Sequence, residues 1–222
     1  MRYFDVVVVV ITTDDSNTFE RAIQSIFRQK TTAKIGVLVL GMNNSDSWES
    51  RHDSILTDSS VIYHKAEMRR SYDSRNLAMK LAEEYFPPSS WLCRLDHDDY
   101  LFGEASIEEV WSRIRGSSRY YWALSGNLQI CTGKVLSHPN LPSAELIWNP
   151  ESLLHRLRGM VAGDSSLELP SCNLWLRNCY QVYYPPFKSA EDHWLVTQLI
   201  LNEPKAGIIL DDVIFSVYSL SG

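Results

Sequence analysis

Three carboxylates fall within four residues, Asp96, Asp98 and Asp99, at the end of the apolar run that opens at Trp91. Like charges at that density are costly unless a cation neutralises them. On an extended backbone Asp96 and Asp98 would share one face, their Cα atoms roughly 6.6 Å apart, with His97 pointing the other way. One acid would then hold a divalent ion while the other reaches a neighbouring hydroxyl. Oxygen-only ligation suits Mg²⁺ or Mn²⁺, the ions that accompany phosphate groups, rather than zinc. The same cluster also fits a solvated turn that caps the next helix, with Asp99 as the cap. A second acidic pair, Glu191 and Asp192, opens a helical pattern carrying Leu195, Val196, Leu199 and Ile200. Acids in the first turn of a helix favour its dipole.

Strands and helices must bring these acids together. Residues 5–13 form a β-branched run without alternation, the pattern of a strand covered on both faces. A polar loop at residues 14–17 follows, then Phe19, Ala22, Ile23, Ile26 and Phe27 at helical spacing behind Asn17 as the expected cap. Residues 34–40 and 61–63 supply two further strands, and a helix is expected from Ser71 to Tyr85, stopped by Pro87 and Pro88. Strands alternating with helices predict a parallel sheet whose ligands gather at the strand carboxyl ends. That edge would hold residues 12–15, 41–46 and 96–99.

The later chain predicts a helix over residues 104–115 with Ile107, Val110, Trp111 and Ile114 inward, then an edge strand over residues 120–130. A loop at residues 138–142, a helix opening at Asn149 and Pro150, a connection over residues 159–170 and a strand over residues 172–176 come next. An aromatic loop at residues 183–187 leads into the Glu191 and Asp192 pair. Residues 208–210 and 213–218 read as closing strand segments.

Composition narrows the function. A chain of 222 residues with 45% hydrophobic content supports one domain. A net charge of −6 speaks against nucleic acid as a general partner, because phosphate-backbone binding needs a basic face. The longest aliphatic run, residues 6–11, is too short to cross a bilayer, and the N-terminus lacks a signal-peptide core, so a cytoplasmic chain is expected. Cys93, Cys131, Cys172 and Cys179 sit at irregular spacings, which fits reduced thiols better than a zinc knuckle or a disulfide framework.

Arg75-Asn76-Leu77-Ala78, then Leu95-Asp96-His97-Asp98-Asp99-Tyr100-Leu101, then Glu191-Asp192, in that order, resemble glycosyltransferase family 2. The resemblance spans nearly the whole chain. It implies a GT-A fold, α/β and Rossmann-like, with a mostly parallel sheet, a nucleotide-sugar-binding half at residues 1–101 and an acceptor-side half at 102–222. It implies a metal-dependent, inverting enzyme moving a hexosyl or N-acetylhexosaminyl group from a nucleoside diphosphate sugar to a glycan or lipid-linked acceptor. Bacterial surface polysaccharide synthesis is the expected setting, with peripheral association at the inner face of the membrane. On this resemblance Asp98 ligates Mn²⁺ or Mg²⁺, and Asp96 meets either the ribose or the shell of the metal. Thr13, Asp15 and Arg75 contact the nucleotide, and Asp192, with Glu191 beside it, takes the acceptor proton. His193 is a further candidate for the metal or a phosphate, and Trp194 and Tyr184 for sugar stacking.

Two departures stand out: Thr12-Thr13-Asp14-Asp15 replaces the family's Pro-Thr-Tyr-Asn, and Gly41-Met42 stands where aspartates commonly end the second strand. They keep a catalytically silent glycan-binding or scaffold subunit in view. A sugar nucleotidyltransferase is disfavoured, since no glycine-rich basic loop follows the first strand.

Overall fold

A computed structural model describes residues 2–13, 18–67, 69–131, 134–135, 151, 154–155, 158, 173–186 and 191–220. Several expectations lie outside the described residues: the loop at 14–17 with Asp15 and Asn17, the loop at 138–142, the helix start at 149–150, the connection at 159–170, Cys172 and Phe187.

The described chain runs β1 (Val6–Thr13), α1 (Phe19–Phe27), β2 (Ile35–Met42), α2 (Asp46–Arg51), α3 (Asp53–Leu56), β3 (Val61–Ala66) and α4 (Ser71–Tyr85). It continues through β4 (Trp91–Asp96), β5 (Tyr100–Leu101), α5 (Ser106–Ile114), β6 (Trp122–Cys131), β7 (Lys134–Val135) and β8 (Leu174–Arg177). The helix α6 (Glu191–Asn202) and the long strand β9 (Gly207–Leu220) close it. One sheet takes them all, in the order β3-β2-β1-β4-β8-β6-β9-β5, with β7 beside β6.

The first four strands of that order are parallel, with Val10 level with Val39 on one side and Leu95 on the other. The order reverses between β1 and β4, which opens a crevice at their carboxyl ends. Beyond β4 the sheet is mixed: β8 runs antiparallel to both β4 and β6, while β6 and β9 are parallel.

The run of valines in β1 is explained by burial on both faces. Val6, Val8 and Val10 pack with α1 and α5, through Phe19, Ile23, Ile107 and Val110. Val7 and Val9 pack with α4, through Ala78, Leu81 and Ala82. On this second face, further along the sheet, Leu195, Val196, Leu199 and Ile200 of α6 pack against Trp122, Leu124, Leu174 and Leu176. Each such aliphatic side chain, once buried, contributes about 1.5–3 kcal/mol. That packing fixes the start of α6 over the sheet.

Four expectations need correction. The strand expected as an edge, β6, is central: it is paired on both sides, and Trp122, Ala123, Leu124 and Ser125 are buried. Its alternating polarity reflects a small polar residue, Ser125, set among buried neighbours rather than a wet face. The two closing segments are one strand, β9, because a register shift beside Gly126 lets β6 follow its bend. Asp99 caps no helix; α5 begins at Ser106, with Ala105 in the capping position. Finally, the backbone does not stay extended past Asp96. The Asp99 N–H donates to the Asp96 carbonyl at 3.0 Å and closes a turn, so the period-two argument fails beyond that residue.

Candidate active site at the sheet edge

The acidic turn is braced from three sides. The His97 ring donates from Nδ1 to the Ile11 carbonyl at 3.0 Å, tying the turn to β1. Arg21 of α1 donates to the Asp98 carbonyl and to Ser219 Oγ, and its guanidinium lies 4.7 Å from the centre of the Tyr100 ring. Asp99 Oδ1 accepts the Ser219 N–H of β9 at 2.9 Å. Asp98 is thus carried on a turn whose backbone is anchored to β1, α1 and β9.

Asp99 is buried, and its Oδ2 has no hydrogen-bond partner among the described residues. Burial, reinforced by the neighbouring charges of Asp96 and Asp98, pushes its carboxyl up to about 8. The acid is therefore mostly protonated at neutral pH, which leaves the charge of the turn to Asp96 and Asp98. No group of three or more His, Cys, Asp or Glu side chains is arranged to hold a metal among the described residues. Asp96, at the end of β4, is paired with Arg94, and Asp98 follows it on the turn.

On the face shared by Leu92, Arg94 and Asp96, β4 meets α4 and α6. Arg94 Nε lies 3.0 Å from Asp96 Oδ1, and its Nη2 lies 3.2 Å from Asp192 Oδ2. Arg75 of α4 reaches Glu191 Oε1 at 2.5 Å and Asp192 Oδ2 at 3.3 Å, over the ring of Tyr184. Two guanidiniums and three carboxylates from three separate elements therefore share one cluster. Asn76 fixes the loop above by exchanging two hydrogen bonds with the Tyr184 backbone, at 2.8 and 3.0 Å.

Within the pair at the head of α6, Glu191 is only 4% exposed while Asp192 is 15% exposed. Burial acts to push the Asp192 carboxyl up, but Arg94 and Arg75, helped by His193, outweigh it and hold the group well below the usual carboxylate range. It stays ionised at neutral pH. Its Oδ2 faces both arginines, whereas Oδ1 accepts the His193 N–H at 2.9 Å and retains a second lone pair.

The expected residues thus divide. Asp96, Arg75, Glu191 and Asp192 converge; Asp98 sits on the braced turn next to Asp96. Thr13 ends β1 level with Met42, two residues past the Ile11 and Asp96 level. Tyr184 is buried beneath Arg75, so it is part of the core, whereas Trp194 is exposed. Arg94 was not among the candidates. Its signal was available: it stands two residues before Asp96 on a strand, so it must share that acid's face. Asn44 was also missed. It lies just past β2, is buried, and neither amide atom has a hydrogen-bond partner among the described residues. Gly41 is demanded by its surroundings: a Cβ there would lie 2.6 Å from the Tyr63 hydroxyl and 3.0 Å from Asn44 Nδ2.

No family model and no curated protein matches the chain. Solved structures do. Residues 1–349 of S. aureus TarS in complex with UDP align with a TM-score of 0.71 at 17% identity, covering 98% of this chain and 61% of that one. A longer S. aureus TarS structure gives 0.70 at 17% identity, over 97% of this chain and 37% of that one. The mannosyltransferase PcManGT from Pyrobaculum calidifontis, in complex with GDP-Man and Mn²⁺, gives 0.60 at 13% identity, covering 97% and 57%. The chain therefore spans less than two thirds of each of these proteins. At such identities the likeness is one of fold, and the fold is GT-A-like.

Proposed function

We propose that this chain is a glycosyltransferase that binds a nucleoside diphosphate sugar at the carboxyl edge of β1, β2 and β4 and passes the sugar to a hydroxyl. One observation carries the reading: Asp192, from the far half of the chain, comes within reach of the guanidinium that also holds Asp96. A candidate base and a candidate donor-side acid thus face one crevice, at the topological switch point where such sheets bind nucleotides. Complexes of fold neighbours with UDP, and with GDP-Man and Mn²⁺, support the assignment of substrate class.

In this reading Asp98, with Asp96, would hold a divalent cation, and Thr13 and Asp15 line the nucleotide. Such a cation, when bound, neutralises charge gathering on the departing diphosphate. Asp192 Oδ1 accepts the proton of the acceptor hydroxyl while that oxygen bonds to the anomeric carbon. The carbon's bond to the diphosphate oxygen breaks, and its electron pair leaves with the nucleoside diphosphate. A single displacement of this kind inverts the anomeric centre. A positioned base contributes about 10² to 10⁴ in rate. Arg75 neutralises Glu191 and lies between α4 and the base; a diphosphate entering the crevice would compete for it. The transferred hexosyl or N-acetylhexosaminyl group, a glycan or lipid-linked acceptor and surface polysaccharide synthesis at the inner face of the membrane complete the proposal.

The test is a thermal-shift panel of UDP, GDP, ADP and CDP with and without Mn²⁺. A nucleotide at a hundredfold its dissociation constant stabilises the folded state by about 2.7 kcal/mol. One nucleotide should do so only when Mn²⁺ is present. A flat response across the panel would contradict the reading.

A further inference from the structure

Arg94 is 10% exposed and stands between two carboxylates brought together from residues far apart in sequence, Asp96 at 32% and Asp192 at 15% exposure. Its stem lines a small cavity of about 20 Å³, whose apolar floor includes Val9, Ile11 and Leu92. A buried ion pair is in itself weak evidence of a stabilising role, because desolvation offsets the attraction. What sets this one apart is the pair it joins, one carboxylate at the end of β4 and the other at the head of α6.

We propose that Arg94 is a positioning residue that couples donor binding to base placement, its planar guanidinium serving Asp96 and Asp192 at once. The inference rests on the glycosyltransferase reading above and adds a division of labour within it. A guanidinium carries five N–H donors in a fixed fork, and here Nη2 donates to both Asp96 Oδ2, at 3.5 Å, and Asp192 Oδ2, at 3.2 Å, while Nε lies at ion-pair distance, 3.0 Å, from Asp96 Oδ1. When the donor draws Asp96 toward the ribose or a cation, Arg94 must redistribute toward Asp192. The base is thereby oriented in step with donor occupancy. Lysine, a point charge on a flexible stem, can neutralise one carboxylate but cannot span both with fixed geometry.

The coupling is measurable without turnover. Dissociation constants for UDP and GDP in the presence of Mn²⁺ are determined by calorimetry for wild type, Arg94→Met, Asp192→Asn and the double variant. Arg94→Met retains an unbranched stem over the cavity, and far-UV circular dichroism checks its fold. If the bridge operates, Asp192→Asn changes nucleotide affinity in the wild-type background, and the change disappears once Arg94 is removed, a non-additivity of about fivefold or more. Additive effects, within about twofold, would overturn the proposal while leaving the donor site standing. A wild type that binds neither nucleotide would remove the donor-site reading and this inference with it. Should Arg94→Met fail to fold, the same cycle is run with Arg94→Lys, which should lose most of the coupling while keeping the charge. Full coupling in the lysine background would equally overturn the bridge.

Discussion

At the scale of single residues, environment rather than residue type separates the acids of this edge. Asp192 sits between two arginines and stays ionised, while Asp99, three residues past Asp96, is driven toward the neutral form by burial and by two neighbouring carboxylates. The sign of the second effect is testable. Because the folded state holds the Asp99 proton up to about 8 and an exposed aspartate of the unfolded chain releases it near 3.8, the folded state binds more protons between those values. Stability from this group is therefore full below about pH 4 and lost as pH rises toward 8, with a slope on the order of 1 kcal/mol per pH unit. Asp99→Asn keeps an oxygen for the Ser219 N–H and should flatten that slope in metal-free thermal melts; an unchanged slope would place the titration elsewhere. Asn44 makes a second case. Its amide is buried without partners among the described residues, beside the end of β2. Asn44→Leu should leave the folded state as stable or raise it by about 1–3 kcal/mol, the cost of an orphaned polar group. If that amide reads the base of the nucleotide, the same variant should weaken nucleotide binding; retained affinity would free it from that role.

At the scale of elements, what a local pattern can specify was readable and what depends on distant packing was not. The valines of β1 announced a strand covered on both faces, and α4 spans Ser71–Tyr85 as expected, ending just before the prolines. The short helices α2 and α3 gave no comparable signal, since six- and four-residue helices carry too little periodicity to register. The central place of β6 was hidden because strand order is a non-local property. The sequence leaves the acidic stretch open between an extended and a turned course for a related reason: its geometry is imposed by Arg21, Ile11 and Ser219, none adjacent in sequence. The meeting of β6 and β9 yields a prediction at this scale. A Cβ at Gly207 would lie 1.9 Å from Trp122, a buried ring whose Nε1 donates to the Glu203 carbonyl at 3.1 Å. Gly207→Ala should therefore destabilise the protein by about 1–3 kcal/mol or more in urea melts, the typical cost of overpacking. A neutral result would mean that this strand entry yields without moving the tryptophan.

At the scale of the whole molecule, the chain solves one problem: setting an acid from its last third against acids at the end of its fourth strand. Two cores on one face of the sheet accomplish this, one beneath α4 and one beneath α6, with Met79 packed against both. The candidate acids themselves were legible from residue type and order, but their meeting was not, because Arg94, the group that touches Asp96 and Asp192 together, reads in sequence as one more residue of a buried strand. No helix among the described residues is long and apolar enough to cross a membrane. The central claim is that Asp192 acts as base on a nucleotide-sugar bound across the crevice. It is tested most directly by donor turnover in Asp192→Asn protein, measured with Mn²⁺ on a panel of UDP-glucose, UDP-N-acetylglucosamine and GDP-mannose. Nucleotide should still bind, with its affinity shifted only as the Arg94 cycle predicts, while turnover at saturating donor falls by about 10² or more. Turnover equal to wild type, with the nucleotide still bound, would contradict the account.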